Sequence, residues 1–173
     1  MNLKTVLLQI NAMEADGIVD RYAIGGAVGA TFYLEPVATF DVDIFISFQA
    51  QPGSLLISPE RVFEYLTGRG ARVEGEYLII ADWPVQFLPP TGPLVEEALK
   101  EAVEVEVEEI NTRVFTAEHL AAIALQTGRA KDKARLLQFI ESGALSSERF
   151  QSILERHALD VSWRKFEQQF LEP

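Results

Sequence analysis

Cysteine is absent from this chain, which removes disulfides, thiolate metal sites, CxxC redox chemistry and cysteine nucleophiles from consideration. Histidine is nearly absent: His119 and His157 are the two present, too few for a multi-histidine zinc centre. Basic residues are scarce, 15 Lys and Arg against 26 Asp and Glu, for a net charge of −11. Such acidity repels phosphate backbones, so extended nucleic-acid binding is not expected. Long hydrophobic runs are missing too, and none reaches membrane-spanning length. The segment after Met1 soon meets Asn11, Glu14 and Asp16, which does not read as a signal peptide. The expectation is a soluble, cytoplasmic protein without a membrane partner.

What remains is ordinary globular material. The 173 residues are 48% hydrophobic and 24% charged, enough chain to bury a core without staples. Val6, Leu7, Ile10 and Met13 recur at helical spacing from Leu3 to about Asp16. A short apolar run, Tyr22 to Ile24, ends at Gly25-Gly26, and a helix is predicted from Ala27 to Leu34, before Pro36. Residues 41–48 (DVDIFISF) alternate, with Val42, Ile44, Ile46 and Phe48 on one face and Asp41, Asp43, Phe45 and Ser47 on the other. Ser58-Pro59-Glu60 opens a helix with Ser58 as N-cap. Tyr77–Ala81 and Val85–Leu88 are predicted as strands around an Asp82-Trp83-Pro84 turn. Thr91 to Lys100 reads as a helix. Val103 to Ile110 reads as one half-exposed strand, whose outer row of Glu104, Glu106 and Glu108 suits a protected sheet edge. Beyond Thr116 the texture is all helical.

Three features carry chemistry. Gly25-Gly26 before a helix is either a tight corner or a place where backbone and free N–H groups approach phosphate. It fits neither GxGxxG nor a Walker motif. Asp41-Val42-Asp43 puts two carboxylates on one strand face. The pair is either solvated or bridged by a hard cation, for which oxygen ligands favour Mg²⁺ or Mn²⁺. Arg129, Lys131, Lys133 and Arg135 form a basic patch in an acidic chain, either a solvated helical face or a polyphosphate contact. Trp83, Trp163 and Tyr77 are aromatics for packing or base stacking, and both histidines read as structural.

In combination, a Gly-Gly turn, one helix, and an Asp-x-Asp strand fifteen residues after Gly26 resemble the nucleotidyltransferase superfamily, the fold of DNA polymerase beta. The resemblance spans roughly Arg21 to Leu88. Thr116-Ala117-Glu118-His119-Leu120, followed by Gly128-Arg129-Ala130-Lys131-Asp132, looks like the AbiEii-type branch, whose members include toxins of toxin–antitoxin pairs. This resemblance implies an α/β (α+β) architecture. A small mixed β-sheet core flanked by helices would occupy residues 1–115, with an all-helical extension over 116–173 packed on it. It implies transfer of a nucleoside monophosphate from a nucleoside triphosphate to an unknown acceptor hydroxyl, on a protein or an RNA end, with an antitoxin protein as a further partner. Carried over by position, Asp41 and Asp43 would bind Mg²⁺ or Mn²⁺ and act in catalysis. Gly25, Gly26, Thr39, Arg129, Lys131 and Asp132 would lie on the nucleotide side.

The chain departs from that pattern at three places. Val37 stands where an arginine is usual, and Ala124 or Leu125 where a lysine is expected. Gln86 stands where a third carboxylate belongs; its carbonyl can ligate a metal weakly but cannot take a proton from the attacking hydroxyl. Asp82 is the nearest carboxylate and is placed in the hairpin turn. The alternative reading is therefore a catalytically impaired protein that binds nucleotide or a partner without turnover.

Overall fold

The computed structural model describes residues 2–36, 39–48 and 59–172; the expected Ser58 cap and the Val37 departure fall outside them. Helix α1 (Leu3–Ala15) is capped by the Asn2 side chain and buries Val6, Leu7, Ile10 and Met13, as its periodicity requires. Strand β1 (Arg21–Ile24) runs into the short helix α2 (Gly26–Ala30), which ends four residues earlier than the apolar run through Leu34 suggests. Strand β2 (Val42–Ser47) buries Val42, Ile44 and Ile46 and turns Asp43, Phe45 and Ser47 to its other face, matching the alternation.

Helix α3 (Glu60–Thr67) leads to a hairpin that sequence reading missed in part. Strand β3 (Arg72–Glu74) is exposed throughout and has no apolar signal. It pairs with β4 (Tyr77–Ile80), and β4 pairs with β5 (Trp83–Leu88). The expected Asp82-Trp83-Pro84 turn is corrected: the turn is Ala81-Asp82, both at positive φ (49° and 65°), and Trp83-Pro84 already belong to β5. Two left-handed residues match the twist of a two-residue hairpin. Helix α4 (Pro93–Lys100) starts after Gly92 rather than at Thr91.

A second correction concerns the glutamate-rich strand. Two strands stand where one is expected, β6 (Val103–Val107) and β7 (Ile110–Val114), joined by Glu108-Glu109 at φ 49° and 68°. Helices α5 (Ala117–Thr127), α6 (Ala130–Glu141), α7 (Ser147–Arg156) and α8 (Asp160–Phe170) complete the chain. Gly128 ends α5 in the left-handed conformation, at φ 67°.

Among the described residues the sheet has seven strands, in the order β3-β4-β5-β2-β1-β7-β6. β2 lies parallel to β5 and β1 parallel to β7, while the other pairs are antiparallel. The acidic β6 is thus an edge strand, where charge discourages pairing with another chain. One face buries Ile44, Ile46, Leu78 and Val85 against α1 and α3. The other packs Ala23 and Phe45 with Phe115 and the helices α4 to α8. Polar ties fix the outer elements. Arg113 makes a two-pronged pair with Glu14 at 2.8 and 3.0 Å, joining β7 to α1. Arg21 donates to the carbonyls of Leu99, in the last turn of α4, and of Ala102 just beyond it.

Glu97 ties α4 to the helical layer. Its carboxylate accepts from Arg156, from His157 Nε2 at 2.8 Å and from His119 Nε2 at 3.2 Å. With Nε2 donating, the buried His119 takes its remaining bond at Nδ1 from the Thr116 hydroxyl, 2.8 Å away. The Arg156 guanidinium above all, with the two imidazoles, holds the Glu97 carboxyl down to about 2 from an ordinary 4.5. A depressed carboxylate stabilises the fold above its ordinary value and loses that contribution as pH falls towards about 2. Acid titration followed by circular dichroism should show wild type weakening between those values, whereas Glu97→Gln lacks that limb. The variant should already be about 1–2 kcal/mol less stable at pH 7 in urea melts.

Candidate functional site

On the helical side of the sheet, β2 and β5 face α5 and α6 across a cavity of about 1090 Å³. The alternation of β2 puts Asp41, Asp43 and Phe45 on this side, since their neighbours Val42 and Ile44 are needed in the opposite core. The parallel register sets Gln86 directly opposite Asp43. Gly26, Thr39, Asp41, Asp43, Gln86, Arg129, Lys131 and Asp132 all line the cavity. Of the candidate residues read from the sequence, Gly25, Asp82, Trp83, Lys133 and Trp163 are not on its wall.

Gly25 acts through the backbone. Its N–H donates to the Asp43 carbonyl at 3.0 Å, extending the β1–β2 pairing by one step. A Cβ there would stand 2.4 Å from the Phe45 ring, which packs on Phe115 with centroids 4.8 Å apart. Gly26 has φ +56°, and a Cβ on it would fall 1.8 Å from Asp43 Oδ2. The two glycines therefore let the β1–α2 corner press against β2, and the Asp43 carboxylate rests over Gly26.

Burial in this corner, then the nearby Asp41 charge, pushes the Asp43 carboxyl up; Lys131, Arg135 and Arg129 pull the other way without cancelling it. Thr39 Oγ1 donates to Asp41, lying 3.2 Å from its carbonyl and 3.3 Å from Oδ1. Tyr77 donates to Asp41 Oδ2 at 3.5 Å. Opposite, the N-terminus of α6 forms a basic wall. Asp132 is buried and pairs with Arg129 (2.5 Å) and Arg135 (3.7 Å), fixing two guanidinium groups at the cavity. Lys131 is exposed beside them. Two carboxylates with hard oxygen donors, facing three cations, suit a divalent cation together with a polyphosphate.

Sequence reading missed Glu76, which also lines the cavity, because the exposed β3 gave no sign that a hairpin tip is there. Trp163 stacks on Phe166 and meets Phe150 edge-on within the helical core, so it packs rather than faces the cavity. Glu97, Glu101 and His119 form a separate cluster whose ligand atoms lie within 4.8 Å of one another. Glu97 there is already taken by Arg156 and His157, which makes the cluster a structural clasp.

No protein-family model matches the chain, and no characterised protein matches it by sequence. Its fold, however, is that of the nucleotidyltransferases. The solution structure of the antibiotic-resistance factor ANT(2'')-Ia aligns with a TM-score of 0.54 at 17% identity, covering 96% of each chain. Its crystal structure with adenylyl-2''-tobramycin aligns at 0.54 and 16% identity, over 88% of this chain and 95% of that one. An antigenic nucleotidyltransferase-like protein from Paracoccidioides brasiliensis gives 0.56 at 14% identity, over 92% of this chain and 91% of that one.

The contact between Gly26 and Asp43 yields a double-mutant test. Gly26→Ala should cost about 1–3 kcal/mol in urea denaturation, from the left-handed backbone and the collision together. Adding Asp43→Ala should recover about 1 kcal/mol or more, because the two residues share one space.

Proposed function

We propose that the chain is a metal-dependent nucleotidyltransferase that moves a nucleoside monophosphate from a nucleoside triphosphate to an acceptor hydroxyl. The observation that carries this reading is the single cavity in which the Asp41–Asp43 pair faces Arg129, Lys131 and Arg135. Asp41 and Asp43 would hold Mg²⁺ or Mn²⁺, which when bound neutralises charge on the triphosphate. Thr39 orients the Asp41 carboxylate. The α6 cations bind the polyphosphate, with Asp132 positioning Arg129 and Arg135. Gly26 admits the Asp43 carboxylate against the α2 N-terminus, beside which the nucleotide's phosphates would lie, and Gly25 supports that corner from behind. An acceptor oxygen then attacks the α-phosphorus in line, and pyrophosphate leaves.

The adenylylated aminoglycoside in the ANT(2'')-Ia crystal structure supports a hydroxyl acceptor here. The resemblance at residues 116–132 favours a toxin-like acceptor, a protein or an RNA end, with an antitoxin partner. The proposed division of labour gives residues 1–115 the metal and the glycine corner beside the phosphates, and residues 116–173 the cationic polyphosphate contacts.

A second reading, nucleotide binding without turnover, is favoured by one observation: the residue opposite Asp43 is Gln86. Calorimetry with ATP and Mn²⁺, run beside an assay for pyrophosphate release, separates the two. Under the binding reading, affinity appears without release.

Under either reading Asp41→Asn should abolish Mn²⁺-dependent ATP binding while leaving the circular dichroism spectrum unchanged; retained binding and transfer would end the proposal. Asp43→Asn should lose binding as well, yet melt about 2–4 °C higher at neutral pH. The fold raises the Asp43 carboxyl, so its charged form is a destabilising burden above its ordinary value, 3.8, and the neutral amide relieves it.

A further inference from the structure

Nucleotidyl transfer requires a group to take the proton of the attacking hydroxyl. The position opposite Asp43 supplies only the Gln86 amide, which has no basic site for that proton. Besides Asp41 and Asp43, two carboxylates among the described residues line the cavity, Asp132 and Glu76. Asp132 is buried and committed to Arg129 and Arg135. Glu76 is exposed and, among the described residues, faces no cation in an ion pair.

The fold explains its reach. Gly75-Glu76 is the turn between β3 and β4, and the Glu74–Tyr77 pairing closes it. Leu78 pairs with Val85 and Val85 with Val42, so the row beside them brings Tyr77, Gln86 and Asp43 across the same sheet face. The hairpin tip therefore hangs at the cavity mouth, beside the strand position that lacks a carboxylate. The Tyr77 hydroxyl, donating to Asp41, also interacts with Glu76. A phenol is protonated at neutral pH, and with its O–H on Asp41 it acts as a donor rather than a competing base.

Given the nucleotidyltransferase reading, on which this rests, we propose that Glu76 takes the acceptor's proton in place of the carboxylate that Gln86 replaces. The acceptor O–H bond breaks as its oxygen bonds to the α-phosphorus, and the proton passes to a Glu76 carboxylate oxygen. The bond from the α-phosphorus to the bridging oxygen breaks, and its electron pair leaves with pyrophosphate. Tyr77 is a positioning residue that keeps Asp41 and Glu76 at one edge of the site.

The test follows pyrophosphate release from ATP with Mn²⁺ and water as the acceptor, alongside calorimetric ATP affinity. Glu76→Gln should lower the rate about 10²–10³-fold at unchanged affinity and melting temperature, and should remove the acid limb of the kcat–pH profile. Adding Gln86→Glu to that variant should restore the rate at least tenfold. A Glu76→Gln rate within threefold of wild type overturns the proposal. So does a wild type that binds ATP and releases no pyrophosphate, although nucleotide binding then stands. A wild type without ATP affinity overturns both the proposal and the reading beneath it.

Discussion

The site depends on how closely the β1–α2 corner approaches β2. Three contacts meet there: the Gly25 N–H on the Asp43 carbonyl, the Phe45 ring over Gly25, and the Asp43 carboxylate over Gly26. The last two need a missing side chain. A larger residue at either glycine would push β2 away from β1, and with it the carboxylates that β2 carries. The arrangement forces Asp43 into a partly desolvated place beside a like charge, a strain on stability of the kind expected where geometry serves a ligand.

The opposite wall is held by different means. α6 brings its cations to the cavity because α5 and α6 are joined by a sharp left-handed turn at Gly128. The buried Glu118 accepts the Ser146 N–H at the start of α7, and the Glu97 clasp ties α4 to the same layer. Asp132 spends its own charge on two arginines, which costs little because all three groups stay hydrogen-bonded or ion-paired. The helices that pack Phe139, Phe150 and Phe166 into one core therefore also aim a basic surface at the sheet.

Much of this was legible in the residues. The alternation of β2 specified which face carries Asp41 and Asp43, since a one-residue slip would bury both. Helical periodicity found α1, and the helical texture beyond Thr116 is α5 to α8, with Thr116 capping α5 by accepting the His119 N–H. What escaped shares one cause. Ala81-Asp82 and Glu108-Glu109 are two-residue hairpin turns at positive φ without glycine or asparagine, so the usual turn signal is missing. The first shortened β5 by two residues in the sequence reading, and the second merged β6 with β7. β3 was invisible because all three of its residues are exposed. The Glu97 clasp was hidden for another reason: its partners lie 22 to 60 residues away, beyond any local pattern.

Charge bookkeeping ties the two walls together. Among the described residues, four carboxylates and three cations line the cavity, Asp41, Asp43, Glu76 and Asp132 against Arg129, Lys131 and Arg135, so this lining is close to neutral in a chain of net charge −11. A carboxylate at position 86 would add a negative charge directly opposite Asp43, whose ionisation is already disfavoured by burial and by Asp41. Gln86 avoids that repulsion and keeps an oxygen donor in place. The same exchange leaves the position opposite Asp43 without a proton acceptor. Any basic group serving the cavity must then come from another position, where solvent stabilises its charge and the crowded corner does not oppose it.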